Sequence, residues 1–170
     1  MATMMAENGA RAATAEAALA NAVRDGRGSL TSAAKRTLNV FGVEVAILVT
    51  GDDTDGAYVL CRVGAEPGMG APPHRHTADD EAFHVLEGTF EFLRGGEVLR
   101  LGPGERVFLP RGVPHAFRNV GDSRGWVLEL ATPSAHERFF EDADRLSFPP
   151  DPEEAAAVCR RHGIELLMPG

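Results

Sequence analysis

From Leu38 to Pro133, apolar and polar residues alternate in short runs divided by turn residues, whereas both flanks read with a helical period. In FGVEVAILVT, Phe41, Val43, Val45, Ile47 and Val49 alternate with Gly42, Glu44 and Ala46. A period of two marks a strand with one face toward a core. The loop GDDTDG is dense in turn formers, and AYVLCRV follows it over Ala57–Val63, so the two runs predict a hairpin. AFHVLEG predicts a strand ending at Gly88, and TFEFLRGGEVLRLG a hairpin around Gly95-Gly96. GERVFLPRGVPHAFRN predicts two short strands broken over Pro110–Pro114, and GWVLELATP a last strand with Trp126, Leu128 and Leu130 on one face. Strands at this spacing with no helix between them predict an all-β domain, an antiparallel sandwich or barrel.

The flanks differ from this core. Residues 1–36 read as an N-terminal extension, with helix formers over Thr14–Val23 and a stop at Gly26 and Gly28. Such a segment is too short to hold a helix alone, so it is either a mobile tail or an arm that covers the barrel or a partner. After Pro133, HERFFEDADRL predicts a short helix anchored by Phe139 and Phe140. A second helix is predicted with Asp151 as N-cap, Pro152 at its first position, Ala155, Val158 and Cys159 as buried stripe, and Gly163 as C-cap. The expected organisation is an extension over 1–36, a β-barrel over 37–135 and a helical tail over 136–170.

Composition narrows the class. A chain of 170 residues with 44% apolar residues can fill one compact core. The net charge of −8 supplies no basic stripe for phosphates, which argues against nucleic-acid binding and against an anionic membrane surface. No apolar run reaches the length of about 18 residues needed for a membrane span, and the Ala-rich N-terminus is interrupted by Glu7, Arg11, Glu16 and Arg24, unlike a secretory signal. Cys61 and Cys159 belong to no CxxC pair. A reducing cytoplasm is the simpler expectation for them.

Candidate chemistry sits in two stretches. GMGAPPHRHTADDEAFHVLEG, Gly68–Gly88, places His74 and His76 two residues apart and Glu81 five residues further on. On an extended chain, both imidazoles project from one face. Neutral imidazoles and a carboxylate are most of a divalent metal site. The second stretch, Gly104–Asn119, offers His115 as a fourth ligand, with Pro110 and Pro114 stiffening its approach. Four ligands without a thiolate leave open positions on a first-row ion, for substrate or dioxygen. Phe83, Val85, Val107, Leu109 and Phe117 share parity with the inward positions and are expected to line the cavity. His84 has parity opposite to Glu81 and should point away from the ion. His136 and His162, in the tail, are expected to be solvated, and Glu129 is expected on the surface because it alternates with the Trp126–Leu128–Leu130 face. No phosphate loop or Ser/His/Asp elbow competes.

Ten positions of these two stretches resemble the paired motifs of the cupin superfamily. The first is Gly68, His74, His76, Glu81 and Gly88; the second is Gly104, Pro110, Gly112, His115 and Asn119. The resemblance covers roughly Val40–Pro133. It implies a double-stranded β-helix (jelly-roll) barrel with an N-terminal extension and C-terminal helices, one divalent transition metal (Fe, Ni, Mn, Cu, Co or Zn) inside, and a homodimer. The single motif pair and the FF-containing helix after the barrel look like small quercetinase-like cupins. That likeness implies a dioxygenase acting on a small organic substrate with O2, Glu81 serving as general base for a substrate hydroxyl. A non-redox metal-dependent cyclase or isomerase, and a non-catalytic ligand-binding cupin, are the alternatives.

Overall fold

The structure is a computed structural model that describes residues 34–167. The helix expected over Thr14–Val23 lies outside the described residues. Eleven strands form two antiparallel sheets. They are β1 (Arg36–Val40), β2 (Val43–Val49), β3 (Val59–Ala65), β4 (Gly70–His76), β5 (Asp80–Glu87), β6 (Phe90–Arg94), β7 (Glu97–Leu101), β8 (Arg106–Leu109), β9 (His115–Asn119), β10 (Gly125–Thr132) and β11 (Ile164–Leu166). One sheet has the order β1-β2-β3-β10-β5-β8 and the other β11-β4-β9-β6-β7. Faced together they make the jelly-roll barrel, and its core is the cluster of inward side chains from both sheets, with Phe83, Phe90 and Phe92 fully buried.

The stretch read as one strand from Phe41 is preceded by another, and the two are joined by a tight turn. Phe41 and Gly42 both have positive φ, 53° and 90°, the two-residue turn geometry that suits the twist of a hairpin. β1 therefore folds back on β2, with Val40 opposite Val43. The expected β2–β3 hairpin and the β6–β7 hairpin at Gly95-Gly96 are present. In β5 the odd positions Glu81, Phe83 and Val85 are buried and the even ones only partly so, as the alternation requires.

The tail packs as part of the core. Helix α1 (His136–Asp144) buries Phe139 and Phe140, and helix α2 (Pro152–Arg161) buries Val158 and Cys159. Asp151 caps α2 by accepting from the backbone N–H groups of Glu153 and Glu154. After Gly163 the chain forms β11, a strand absent from the expected organisation, which adds to the edge of β4 with Ile164 opposite His76. Arg36 of β1 pairs with Glu137 and Glu141 of α1, fastening the tail to the barrel's first strand. No helix among the described residues is long and apolar enough to cross a membrane.

Candidate metal centre

His74 and His76 alternate on β4 with exposed Arg75 between them, which turns both rings into the barrel. His115 opens β9 directly opposite His74. It is held there from the turn before it: Gly112, at φ 78°, donates its N–H to His76 O at 2.7 Å. Arg111 clamps Asp80 through its backbone N–H at 2.8 Å and its guanidinium at 2.7 and 3.0 Å. Asp80 adjoins Glu81, which enters from β5 in the other sheet. All four side chains are buried, and one ligand atom from each lies within 4.8 Å of the others.

Hydrogen bonds on the far side of the rings define which nitrogen faces the centre. His74 Nδ1 donates to Pro72 O at 2.7 Å and His115 Nδ1 to Val113 O at 2.9 Å. With the proton on Nδ1, Nε2 of the neutral ring presents a lone pair inward, the arrangement that hydrogen-bond acceptors behind the ring impose on ligating histidines. His76 Nδ1 faces Asp79 Oδ2 at 3.4 Å. The inward atoms are crowded. His74 Nε2 is 3.1 Å from His76 Nε2, and His115 Nε2 is 3.0 Å from Glu81 Oε2 but makes no hydrogen bond. Ligands at right angles on bonds of about 2.1 Å stand about 3.0 Å apart. The donor set therefore fits a divalent first-row ion, and His74, His76, Glu81 and His115 can hold one.

Electrostatics of the pocket divide its groups. Burial pulls the His74 imidazolium down to about 4, outweighing the attraction of Glu81. Burial also opposes charge on His76, but Glu81 and Asp79 beside it win and raise its value. Glu81 is buried too, yet His76, His115 and His136 hold its carboxyl well below the usual range. Asp79 is drawn to about 2 against burial by His136 and His76. Glu129 goes the other way: burial and the neighbouring Glu81 push its carboxyl well above the ordinary value.

Two of these groups overturn expectations. Glu129 is not on the surface. It lies inside, opposite Phe83, because β10 is a central strand with Val127, Glu129 and Ala131 facing the barrel; Leu128 and Leu130 are buried on the outer face by Leu60, Leu48 and Leu86. His136 is not solvated either. It is 3% exposed at the first turn of α1, with Nδ1 3.2 Å from Asp79 Oδ2, and Nε2 3.5 Å from Glu81 Oε1 and 3.8 Å from Glu129 Oε1. His162 is partly buried and bonds Asp142 at 2.8 Å, and His84 is on the outer face opposite Leu128 and Arg106. A cavity of about 300 Å³ opens from the cluster. Phe83 and Phe117 line it. Val85, Val107 and Leu109 do not: they are buried core residues, Val85 further along β5 than Phe83, and Val107 and Leu109 on β8 opposite Phe83 and Glu81. The remaining walls include Phe41, Phe139 and Phe140.

Comparison with known proteins agrees with this geometry. The cupin domain family matches residues 61–130, β3 to β10. The chain is 45% identical over 67 residues to dimethylsulfoniopropionate lyase DddQ of Ruegeria pomeroyi, covering 39% of this chain and 31% of that protein. It is 24% identical over 94 residues to quercetin 2,3-dioxygenase of Bacillus subtilis, covering 55% of this chain and 28% of that one. The chain thus spans about a third or less of the length of these two relatives. Among solved structures, an RmlC-like cupin from Shewanella frigidimarina superposes with a TM-score of 0.53 at 17% identity, over 61% of this chain and 87% of the other, a likeness of fold.

Proposed function

Starting from the cupin superfamily, to which residues 61–130 assign this chain, we propose a metal-dependent enzyme that acts on a small, largely apolar substrate gripped by its oxygen atoms. His74, His76, Glu81 and His115 are its ligands. The observation that carries this reading is the inward crowding of ligand atoms from His74, His76, Glu81 and His115, with His115 Nε2 left without a hydrogen bond, at the end of a cavity walled by phenylalanines. A bound divalent ion would polarise a substrate oxygen, and a redox-active one would also allow reaction with O2.

The chain's own groups handle protons. Glu81, kept ionised by its histidine neighbours, is the base for a substrate hydroxyl. Glu129, whose ligand atom lies within 4.8 Å of that of Glu81 and whose hold on its proton burial and Glu81 strengthen, is the candidate donor. Two carboxyls pushed apart in this way take opposite acid–base roles. Asp79 orients His136, and the aromatic walls exclude water from the reacting end.

Dioxygenation of an enol- or flavonol-like substrate is the first specific chemistry, supported by the likeness to quercetin 2,3-dioxygenase. The Glu81–Glu129 pair favours a second, oxygen-independent elimination or isomerisation, with which the likeness to a lyase accords. Elemental analysis followed by oxygen uptake on a flavonol and enediol panel decides between them. Stoichiometric iron, nickel, manganese or copper with oxygen consumption supports the first. Turnover of the zinc form under nitrogen supports the second. Failure to bind any of these metals at one per chain would sink both.

A further inference from the structure

The family match ends at Leu130, yet much of the cavity wall is built after it. Phe139 and Phe140 of α1, Cys159 of α2 and Ile164 of β11 all face the cavity, together with His136. The His136 ring is wedged edge-on against Phe140, with centroids 4.6 Å apart, and is pinned at Nδ1 by Asp79. Its Nε2 makes no hydrogen bond among the described residues and looks toward Glu81. The tail wall is thus apolar apart from one held nitrogen beside the ligand cluster. Among the described residues no Lys or Arg lines the cavity, so these walls would leave an anionic group at the far end of a substrate buried without a partner, at high cost.

We propose that the C-terminal tail is the specificity wall of the site. Phe139 and Phe140 receive the apolar body of the substrate, and His136 Nε2 hydrogen-bonds a polar group adjoining the chelating oxygens. The substrate class that fits is a small molecule whose oxygen chelate is joined directly to a flat apolar group, such as an aromatic ring, with no charge beyond the chelate. This rests on the metal reading above and goes further by assigning selection to residues outside the shared domain.

The test uses the full chain loaded with Co(II), whose absorption spectrum reports metal and ligand binding separately from activity. Acetohydroxamate and benzohydroxamate present the same chelating end and differ by methyl against phenyl. Benzohydroxamate is expected to bind at least about tenfold more tightly, because the phenyl leaves water for the Phe139–Phe140 wall. Phe140→Leu, chosen to keep the core filled, should reduce that preference several-fold. His136→Leu should weaken both probes by about tenfold, the scale of one lost hydrogen bond, with Co(II) affinity within about threefold of wild type. His136→Gln, which keeps a hydrogen-bonding group, should restore part of the loss. Equal binding of the two probes by the wild type, or unchanged probe affinities in a folded His136→Leu variant, would overturn the proposal while leaving the metal centre standing. Absence of Co(II) binding would remove the metal reading and this inference together.

Discussion

At His74 protons and a bound metal would compete most directly. Burial holds its folded value at about 4 against an ordinary 6.5, so the unfolded chain takes up a proton first. Its contribution to stability is therefore complete above about pH 6.5 and is lost as pH falls from there toward 4, on the order of 3 kcal/mol. His76 has the opposite sign: its value is raised, so its contribution is present below about pH 6.5 and lost as pH rises through the folded value. Metal-free protein should accordingly melt at lower temperature on acidification from pH 6.5 to 4, and His74→Asn should flatten part of that fall. An unchanged slope in the variant, followed by thermal melts across the window, would contradict the burial argument. Parity along β4 and β5 made the inward placement of His74, His76 and Glu81 legible in advance. Glu129 was not, because β10 is apolar on both faces and alternation alone does not say which face is inward. His136 was not, because a histidine opening an exposed-looking HERFF run carries no signal that Asp79, some 57 positions earlier, holds it inside.

At the scale of the elements, the site depends on how closely β4 lies against β9. A Cβ on Gly70 would fall 2.0 Å from Phe117 O and 2.8 Å from Arg118 Cα, and both are backbone atoms of the paired strand that cannot rotate away. Those strands carry His74 and His115 opposite each other. Gly70→Ala should therefore destabilise the fold by about 2 kcal/mol or more and weaken metal binding as the strands separate. Gly96→Ala, at a turn with open space around it, should do neither. Denaturant melts and metal titration of the two variants check this; a Gly70→Ala protein as stable as wild type would show that the strands can part freely. Most strands, both hairpins and the caps of α2 could be read from period and turn chemistry, since each depends on neighbours in sequence. β1 and β11 escaped that reading. β1 is hidden because Phe41, a bulky residue, adopts the left-handed turn conformation usually left to Gly or Asn, so the run around it looks unbroken. β11 is three residues long and exists by pairing with β4, which nothing local announces.

Across the whole molecule, the proposed ligand set joins the two sheets. His74, His76 and His115 belong to the five-stranded sheet and Glu81 to the six-stranded one, so an ion held by all four would bridge the barrel halves in a way only the folded state offers. Binding that is confined to the folded state stabilises it by RT ln(1 + [L]/Kd), about 2.7 kcal/mol at a hundredfold excess over Kd. For a chain of this size that amounts to a rise in Tm of roughly 5–11 °C. His115→Ala separates this gain from ordinary packing. Its Nε2 has no hydrogen-bond partner, so removing the ring costs the metal-free fold its packing and the Nδ1 bond to Val113 O, whereas a bound metal would lose one of the proposed ligands that tie β9 to β5. The metal-dependent rise should therefore collapse in His115→Ala while the metal-free Tm falls by less. His136→Leu, which alters a neighbour of Glu81, Asp79 and His76 but removes none of the four proposed ligands, should keep most of the rise. Differential scanning calorimetry with and without zinc reads both effects, and an undiminished rise in His115→Ala would remove His115 from the ligand set.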